Sequence, residues 1–320
     1  MKIPPLPFEK PIVELEEKLA ELKRHSRAND INFDAEVRRM EEKIESTKRD
    51  IYQNLGPMER VMIARHVARP FTLDYVQLAF NGFIELRGDR LYGEDAAMPG
   101  GFVRIGGHRA VVVGHQKGRD TKENLHRNFG SAHPEGYRKA LRLMRLAEKF
   151  GLPFVALIDT PGAYPGIGAE ERHISEAIAV NLREMMVLRT PIVTVVIGEG
   201  GSGGALGIGV ADRVLMMENA YYSVISPEGC AAILWKHRRH APEAAAALRL
   251  TAADLKQLGL IDGIIAEPMG GAHQDQQAAI ENLRDAITRE LDALSQIPID
   301  ELLEQRYRKF RRIGEFATEE

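Results

Sequence analysis

The middle of the chain alternates between buried-strand and amphipathic-helix patterns. Short runs of apolar and β-branched residues predict strands at 101–105, 110–114, 154–158, 193–197, 213–217 and 221–225. Helical spacing of apolar residues starts at Pro134 and again covers 170–188. Strands that alternate with helices predict parallel pairing with right-handed crossovers. Ligands of such sheets bind at the carboxyl ends of the strands, so the turns at those ends are the first places to look for a site.

The first 55 residues have a different pattern. Apolar residues recur every three or four positions in two segments, from Ile12 to Leu22 and from Val37 to Ile51. The polar stretch 27–30 separates them, and Asp34 stands near the start of the second. This predicts an antiparallel helical hairpin that must pack on the main body or on another chain.

The remaining segments complete a three-part division of the chain. Thr72 is a candidate cap for a helix through Leu78 to Phe83, and residues 276–313 have helical spacing that ends in a basic stretch, which we interpret as a solvated face. We therefore predict an N-terminal helical hairpin at 1–55, a central domain at 56–275 and a C-terminal helical extension at 276–320.

Glycine dominates the turn after the strand at 193–197. Seven of the twelve residues at 198–209 are glycine, and an apolar, helix-like pattern resumes at Ala205. Such a turn lets the backbone approach a ligand closely, and the free amides of a helix start can bind an anion or a developing oxyanion. Tight helix packing is the alternative reason for the glycines. A second glycine turn, 159–166, follows the strand at 154–158, and we expect both turns to line one cleft.

Composition and charge narrow the function classes. The chain has 320 residues, of which 44% are hydrophobic and 28% charged, and its net charge of −3 gives no reason to expect general nucleic-acid binding. The only cysteine, Cys230, excludes an internal disulfide and a multi-cysteine zinc site. No apolar run has the length of a membrane span, and the N-terminus lacks the apolar core of a signal peptide. We expect a cytoplasmic protein without membrane contact.

Several motifs together carry a family resemblance. The turn 158–166 (IDTPGAYPG) is similar to the D-x-P-G-F-x-P-G turn of biotin-dependent carboxyltransferases, and 198–205 (GEGGSGGA) resembles their second oxyanion-hole loop. Residues 251–262 resemble the segment that crotonase-type enzymes carry after the core. Further matching segments are 115–119 (HQKGR), 134–140 (PEGYRKA) and 226–230 (SPEGC). The resemblance covers nearly the whole chain, and it is to the family of carboxyltransferase α subunits of bacterial acetyl-CoA carboxylase.

The resemblance implies a fold, a reaction and partners. It implies an α/β, Clp/crotonase-like spiral of ββα units that transfers carboxyl from carboxybiotin to acetyl-CoA, giving malonyl-CoA for fatty-acid synthesis. In this family the site lies between an α and a zinc-bearing β subunit in an α2β2 assembly. Biotin arrives on a separate carrier protein, which an ATP-using biotin carboxylase carboxylates. The chain has neither an Ala-Met-Lys-Met biotinylation site nor a four-cysteine zinc module, so no metal is expected in it.

The same resemblance assigns the site residues. Backbone amides matching Gly203 and Gly204 stabilise negative charge on the ureido oxygen of biotin, while the thioester oxyanion hole belongs to the β subunit. The biotin-binding turns correspond here to Gly162, Ala163, Tyr164, Gly201 and Ser202. The base is then the biotin anion itself, and no side chain need be essential.

Some side chains permit other interpretations. Ser202 is either a nucleophile or a small turn residue, and Glu228 is either a catalyst or a helix-start carboxylate. Two histidines are candidate acids or bases and four cations are candidate partners of CoA phosphates: His115 and His173, and Lys117, Arg119, Lys122 and Arg127.

Three alternative functions remain open on the sequence alone. An acyl-CoA hydratase or isomerase of the same fold needs a placed carboxylate acid or base, and none stands out. A Clp-type serine peptidase needs histidine and aspartate partners for Ser202. A non-catalytic scaffold subunit would leave all chemistry to the β subunit, and the glycine turn at 198–204 argues against it.

Overall fold

The computed structural model describes residues 5–29 and 33–314. Its helices are α1 (Lys10–Asn29), α2 (Asp34–Gln53), α3 (Pro57–Ala64), α4 (Thr72–Leu78), α5 (Thr121–His126), α6 (Pro134–Phe150), α7 (Ile167–Glu171), α8 (Ile174–Val187), α9 (Ser202–Leu206), α10 (Pro227–Leu234), α11 (Ala241–Leu248), α12 (Ala252–Gln257), α13 (Gln276–Leu294) and α14 (Ile299–Arg311). Its strands are β1 (Asn81–Glu85), β2 (Gly100–Ile105), β3 (His108–Gly114), β4 (Phe154–Thr160), β5 (Ile192–Gly201), β6 (Arg213–Met217), β7 (Tyr221–Ser223) and β8 (Gly263–Ile265).

One eight-stranded sheet organises the body, in the order β1-β2-β3-β4-β5-β6-β8. The first three strands pair antiparallel, and β3 to β6 and β8 pair parallel, as the alternation of strands and helices predicts. Strand β5 has two partners on one side: its first half pairs with β6 and its last residues pair with β7. Both β4 and β5 are buried along their whole length, which explains their nearly unbroken apolar runs.

The two predicted N-terminal helices are both present. Helices α1 and α2 are joined by the ion pairs Lys23–Glu41 and Lys48–Glu16, at 2.7 and 2.9 Å. Helix α1 continues to Asn29, so residues 27–29 of the connection predicted at 27–30 are helical. Residue 30 of that connection lies outside the described residues. The hairpin contacts the body at Glu9, whose buried carboxylate accepts a hydrogen bond from His273 of the body and another from Tyr52 of α2.

Two predicted helices are shorter than their patterns indicated. Thr72 is the first residue of α4 and not its cap, because the Asp74 carboxylate accepts the Phe71 amide while the Thr72 hydroxyl donates to the carbonyl of His115. Helix α4 ends at Leu78, and the next residues form β1 on the sheet edge. The helix predicted after the glycine turn is also short, since α9 ends at Leu206 and the later apolar residues lead into β6.

Two long predicted helices are interrupted. The segment predicted as one helix over 170–188 divides into α7 and α8, because His173 between them adopts φ 62°. The predicted C-terminal helix divides at Pro298, which precedes α14 and cannot continue the hydrogen bonding of α13.

The basic C-terminal stretch is not wholly solvated, contrary to our interpretation. Arg306 is buried, and its guanidinium lies 2.7 Å from the Asp212 carboxylate and donates to the carbonyls of Leu188 and Thr190. A buried guanidinium needs such partners, since leaving its donors unpaired is costly. Arg306 therefore fixes α14 to the body. No helix in the described ranges has the length and apolar character needed to cross a membrane.

Candidate active site

The structure brings the two glycine turns together at the carboxyl ends of β4 and β5. Thr160 pairs with Gly200 in the parallel ladder, so the turns leave the sheet side by side. At Gly201 a Cβ atom would lie 2.2 Å from the carbonyl oxygen of Pro161, and at Gly204 it would lie 2.4 Å from the amide nitrogen of Ala163. Neither position has room for a side chain. Both glycines are therefore required for the close approach of the two turns.

The start of α9 presents backbone amides at this junction. Because the helix begins at Ser202, the amides of Gly203 and Gly204 have no acceptor one turn earlier within α9. Ser202 itself adopts φ 52°, a left-handed conformation that is unfavourable for a residue with a side chain. This conformation makes the sharp turn from β5 into α9.

Both turns reach the molecular surface. The predicted site residues Gly162, Ala163, Tyr164, Ser202 and Gly203 are all half-buried, whereas Gly201 and Gly204 are buried. A cavity of about 720 Å³ lies elsewhere, between the helical hairpin and the segment 269–274. The turns thus offer a shared polar surface on which a ligand can lie.

Tyr164 has a defined position beside the turns. Its ring packs against the ring of His133, with centroids 4.1 Å apart and planes inclined by 32°, and its amide donates to the carbonyl of Ala132 at 3.0 Å. A Cβ atom at Gly166 would lie 2.4 Å from the Tyr164 ring. The turn therefore fixes the ring against its own backbone.

A buried ion network joins the ends of the two strands. The Lys117 ammonium lies 2.6 Å from both the Asp159 and the Glu199 carboxylates, and Asp159 also accepts the amide of Glu199 at 2.9 Å. Arg65 pairs with Glu199 at 2.7 Å, and the Tyr221 hydroxyl donates to the same carboxylate. These contacts hold the last residues of β4 and β5 in one arrangement.

The charges in this network are stabilised by each other. Burial raises the pKa of Glu199, but the charges of Lys117 and Arg65 outweigh it and lower the pKa to about 2. Burial lowers the pKa of Lys117, and the Asp159 and Glu199 carboxylates outweigh that effect and raise it. For Asp159 burial prevails over the charge of Lys117 and raises the pKa above its usual value. Both carboxylates are acceptors that Lys117 already occupies.

The two histidines considered as acids or bases lie in different surroundings. His115 is fully buried, and among the described residues its ring nitrogens make no hydrogen bond of ordinary geometry, although the Gly204 backbone is near enough to raise its pKa slightly against the effect of burial. Burial, together with the nearby charge of Lys117, lowers the pKa of His115 to about 3, so its ring is neutral at physiological pH. His173 is exposed at the junction of α7 and α8.

Most of the cations considered for CoA phosphates are already paired. Lys117 belongs to the buried network, and Arg119 donates to the Val67 carbonyl and to Asp74. Arg127 donates to the carbonyl of Ala96 and pairs with Glu123, whereas Lys122 is exposed.

Glu228 lies in the first turn of α10, the position of a helix-start carboxylate. Its carboxylate pairs with Arg65 at 2.6 Å. Among the described residues no cluster of three His, Cys, Asp or Glu side chains is suited to hold a metal ion.

Sequence reasoning missed the residues that support the turns. Asp159 and Glu199 stand within the recognised motifs, and their position at adjacent strand ends predicts proximity, but their shared partner Lys117 lies 42 residues before Asp159. Tyr137 and Asn181, which hydrogen-bond to the backbone after Gly203, have no local signal in the sequence.

Comparison with known proteins identifies the family. A family model described as acetyl co-enzyme A carboxylase carboxyltransferase-like matches residues 5–314. The acetyl-coenzyme A carboxylase carboxyl transferase subunit alpha of Thermus thermophilus is 55% identical, over 98% of this chain and 99% of its own. The subunit of the same name from Bacillus cereus is 55% identical over 98% and 96%. The chain belongs to the acetyl-CoA carboxylase carboxyltransferase α family.

Solved structures agree on the fold of this carboxyltransferase family member. A transcarboxylase 12S structure superimposes with a TM-score of 0.58 at 20% identity, over 72% of this chain and 42% of that one. A Pseudomonas malonate decarboxylase hetero-dimer gives 0.57 at 17% identity, over 74% and 96%. The predicted crotonase-like fold is confirmed. Family membership also confirms the predicted enzyme class, a carboxyl transferase, over the hydratase and scaffold alternatives.

Proposed function

We propose that this chain forms the biotin-side half of an acetyl-CoA carboxyltransferase site, in which a carboxyl group passes from carboxybiotin to acetyl-CoA and malonyl-CoA is formed for fatty-acid biosynthesis. The observation that carries the proposal is the start of α9. The amides of Gly203 and Gly204 lie there without an acceptor earlier in the helix, and Gly204 packs closely against the backbone of Gly162 and Ala163.

The chemistry needs a place for negative charge. Carboxybiotin supplies the carboxyl group, and departure of that group leaves negative charge on the ureido oxygen. We assign the amides of Gly203 and Gly204 as the donors to that oxygen. Hydrogen-bond donors that are already in place where negative charge develops in the transition state lower the activation free energy, because they need not reorient during the reaction. The proton lost from the acetyl-CoA methyl group would pass to the ureido group of biotin that has given up its carboxyl, so no side chain of this chain has to accept it.

The surroundings suit a flat, neutral ring system. Tyr164, held by its contact with His133, offers an aromatic face beside the two turns. The half-buried turn backbone at Gly162 and Ala163 offers further polar groups. We assign these residues, with Gly201 and Ser202, to the binding of the biotin ring.

The exposed apolar residues beside the turns support a partner chain. Ile167 follows the first turn and is 79% exposed, and Leu206 follows the second and is 44% exposed. Apolar side chains at the rim of a half-open site favour coverage by another protein. We assign this role to a zinc-bearing β subunit that supplies the thioester oxyanion hole in an α2β2 assembly. The biotin carrier protein and the ATP-using biotin carboxylase complete the proposed system.

The geometry disfavours a serine peptidase or an acid–base hydratase. In the described part of the chain no histidine hydrogen-bonds to Ser202, and the buried ring of His115 makes no hydrogen bond of ordinary geometry. The carboxylates nearest the turns, Asp159 and Glu199, are paired with Lys117. Neither is placed to exchange protons with a substrate.

Reconstitution tests the proposal. The purified chain alone should not form malonyl-CoA from acetyl-CoA and carboxybiotin, because half of the site is absent. Addition of a zinc-bearing β subunit should restore the activity and yield a heterotetramer by light scattering. Full activity of the isolated chain, or an inactive complex of correct stoichiometry, would contradict it.

A further inference from the structure

Tyr137 lies directly beneath the glycine turn. It belongs to α6, is fully buried, and its hydroxyl donates to the carbonyl oxygen of Gly204 at 3.0 Å. Its ring also fills the space under Gly207, where a Cβ atom would lie 2.5 Å from its Cε1. The ring and the hydroxyl therefore contact two residues of the same turn.

Asn181 ties this tyrosine to the turn a second time. It belongs to α8 and is fully buried, and its amide nitrogen donates to the carbonyl of Tyr137 at 3.0 Å and to that of Gly207 at 2.9 Å. Both N–H protons of the Asn181 side-chain amide are thus donated in hydrogen bonds. Helices α6 and α8 and the end of α9 are joined through this single side chain.

The turn needs such support because its own sequence gives little rigidity. Helix α9 has five residues, two of which are Gly203 and Gly204, and glycine in a helix is less favourable than alanine by about 1 kcal/mol. The amide of Gly204 and its carbonyl lie on opposite sides of a Cα that carries no side chain, so its two backbone torsions are intrinsically less restricted than in other residues. Anchoring the carbonyl limits rotation about that atom and so limits the directions in which the neighbouring amides can point.

We propose that Tyr137, supported by Asn181, is a positioning residue that aims the amides of Gly203 and Gly204 at the ureido oxygen. The inference rests on the function proposed above. Burial raises the pKa of Tyr137, so the hydroxyl keeps the proton that it donates to Gly204 throughout the working pH range.

The test compares two Tyr→Phe variants in the assembled complex. Tyr137→Phe removes the hydroxyl and keeps the ring. Tyr75→Phe is the matched control, because Tyr75 is also fully buried but its hydroxyl has no hydrogen-bond partner among the described residues. We expect Tyr137→Phe to lower kcat about fivefold with unchanged KM for acetyl-CoA, the factor that corresponds to about 1 kcal/mol for a neutral hydrogen bond. Tyr75→Phe should leave kcat unchanged.

The possible results separate the two proposals. A merely structural tyrosine would lower the melting temperature and leave kcat per assembled complex unchanged, which would overturn the inference. Asn181→Leu removes the hydrogen bonds to the carbonyls of Gly207 and Tyr137 and should lower kcat in the same direction, which gives a second measurement if Tyr137→Phe assembles poorly. If Gly203→Pro retains normal turnover, the oxyanion assignment itself fails. If Gly203→Pro is inactive while both Tyr137→Phe and Asn181→Leu are normal, only the positioning role fails.

Discussion

Replacement of Gly203 by proline removes one proposed oxyanion donor; because proline also restricts the residue before it, here the left-handed Ser202, the fold of the variant is checked alongside its activity. Proline has no amide proton, and it is tolerated in the first turn of a helix, where α9 places Gly203. Gly203 is not among the glycines with positive φ, and a Cβ atom there would find only the Cδ1 of Ile178, at 3.9 Å. Gly203 is therefore a cleaner target than Gly204, where any side chain would strike the backbone at Ala163.

The expected effect is large because the donor acts on charge that forms during the reaction. Loss of one oxyanion-hole donor costs about 2.7–4 kcal/mol of transition-state stabilisation, which lowers kcat roughly 100- to 1,000-fold. A surface substitution that only changes packing usually alters stability by less than about 0.5 kcal/mol. A stability change of that size leaves the complex folded and its kcat nearly unchanged, so packing alone does not account for a loss of roughly 100-fold in kcat.

The assay is kcat for malonyl-CoA formation in the reconstituted complex, with folding checked by circular dichroism. Gly203→Ala is the matched control, because it adds a side chain and keeps the amide, and it should retain near-normal turnover. Ser202→Gly relieves the left-handed strain at φ 52° and removes any nucleophilic hydroxyl, and it should also remain active. A folded, assembled Gly203→Pro with near-normal kcat would refute the oxyanion assignment, and an inactive Ser202→Gly would favour a nucleophilic serine.

Two further predictions concern packing and pH. Gly204→Ala should lower the melting temperature clearly more than Gly203→Ala, because its Cβ would lie 2.4 Å from the Ala163 nitrogen, and equal melting temperatures would contradict the close packing of the turns. Burial raises the pKa of Glu9, but hydrogen bonds from His273 and Tyr52 outweigh it and lower the pKa from 4.5 to about 2. This carboxylate therefore stabilises the folded chain above pH 4.5 and progressively less as the pH falls toward 2. In urea unfolding, the deficit of Glu9→Gln relative to the unaltered chain should shrink between pH 7 and pH 3.5, and a constant deficit would show that the charge is not responsible.

Much of the fold follows from local patterns. The fully apolar runs identified β4 and β5 because both faces of these strands are buried, and Pro134 opens α6 as expected for proline in a first turn. The meeting of the two glycine turns also follows from the sequence, since parallel neighbouring strands end at the same edge of the sheet. Helix ends were less predictable, because the left-handed residue His173 that separates α7 from α8 looks like any other polar residue in a helical pattern.

The supporting contacts could not be predicted because their partners are far apart in the chain. In the sequence Lys117 has no visible partner and is a candidate for binding CoA phosphate. In the structure its ammonium lies 2.6 Å from the carboxylates of Asp159 and Glu199. Arg306 belonged to a basic run that has the composition of a solvated face, and only the position of Asp212 shows why it is buried. In both cases an ionic group is buried only because a partner from a distant segment meets it.

The glycine turn shows most clearly what three-dimensional contacts add to a motif. In the sequence its glycines look alike, and either tight packing or ligand approach explains all of them. In the structure Gly201 and Gly204 have backbone within 2.4 Å of where a Cβ would lie, so packing alone accounts for them. At Gly203 a Cβ atom would have only the Cδ1 of Ile178 nearby, at 3.9 Å. Packing within the chain therefore does not require glycine at this position. A substitution at Gly203 therefore changes the amide without disturbing the contact between the two turns, which is why the decisive substitution is at Gly203.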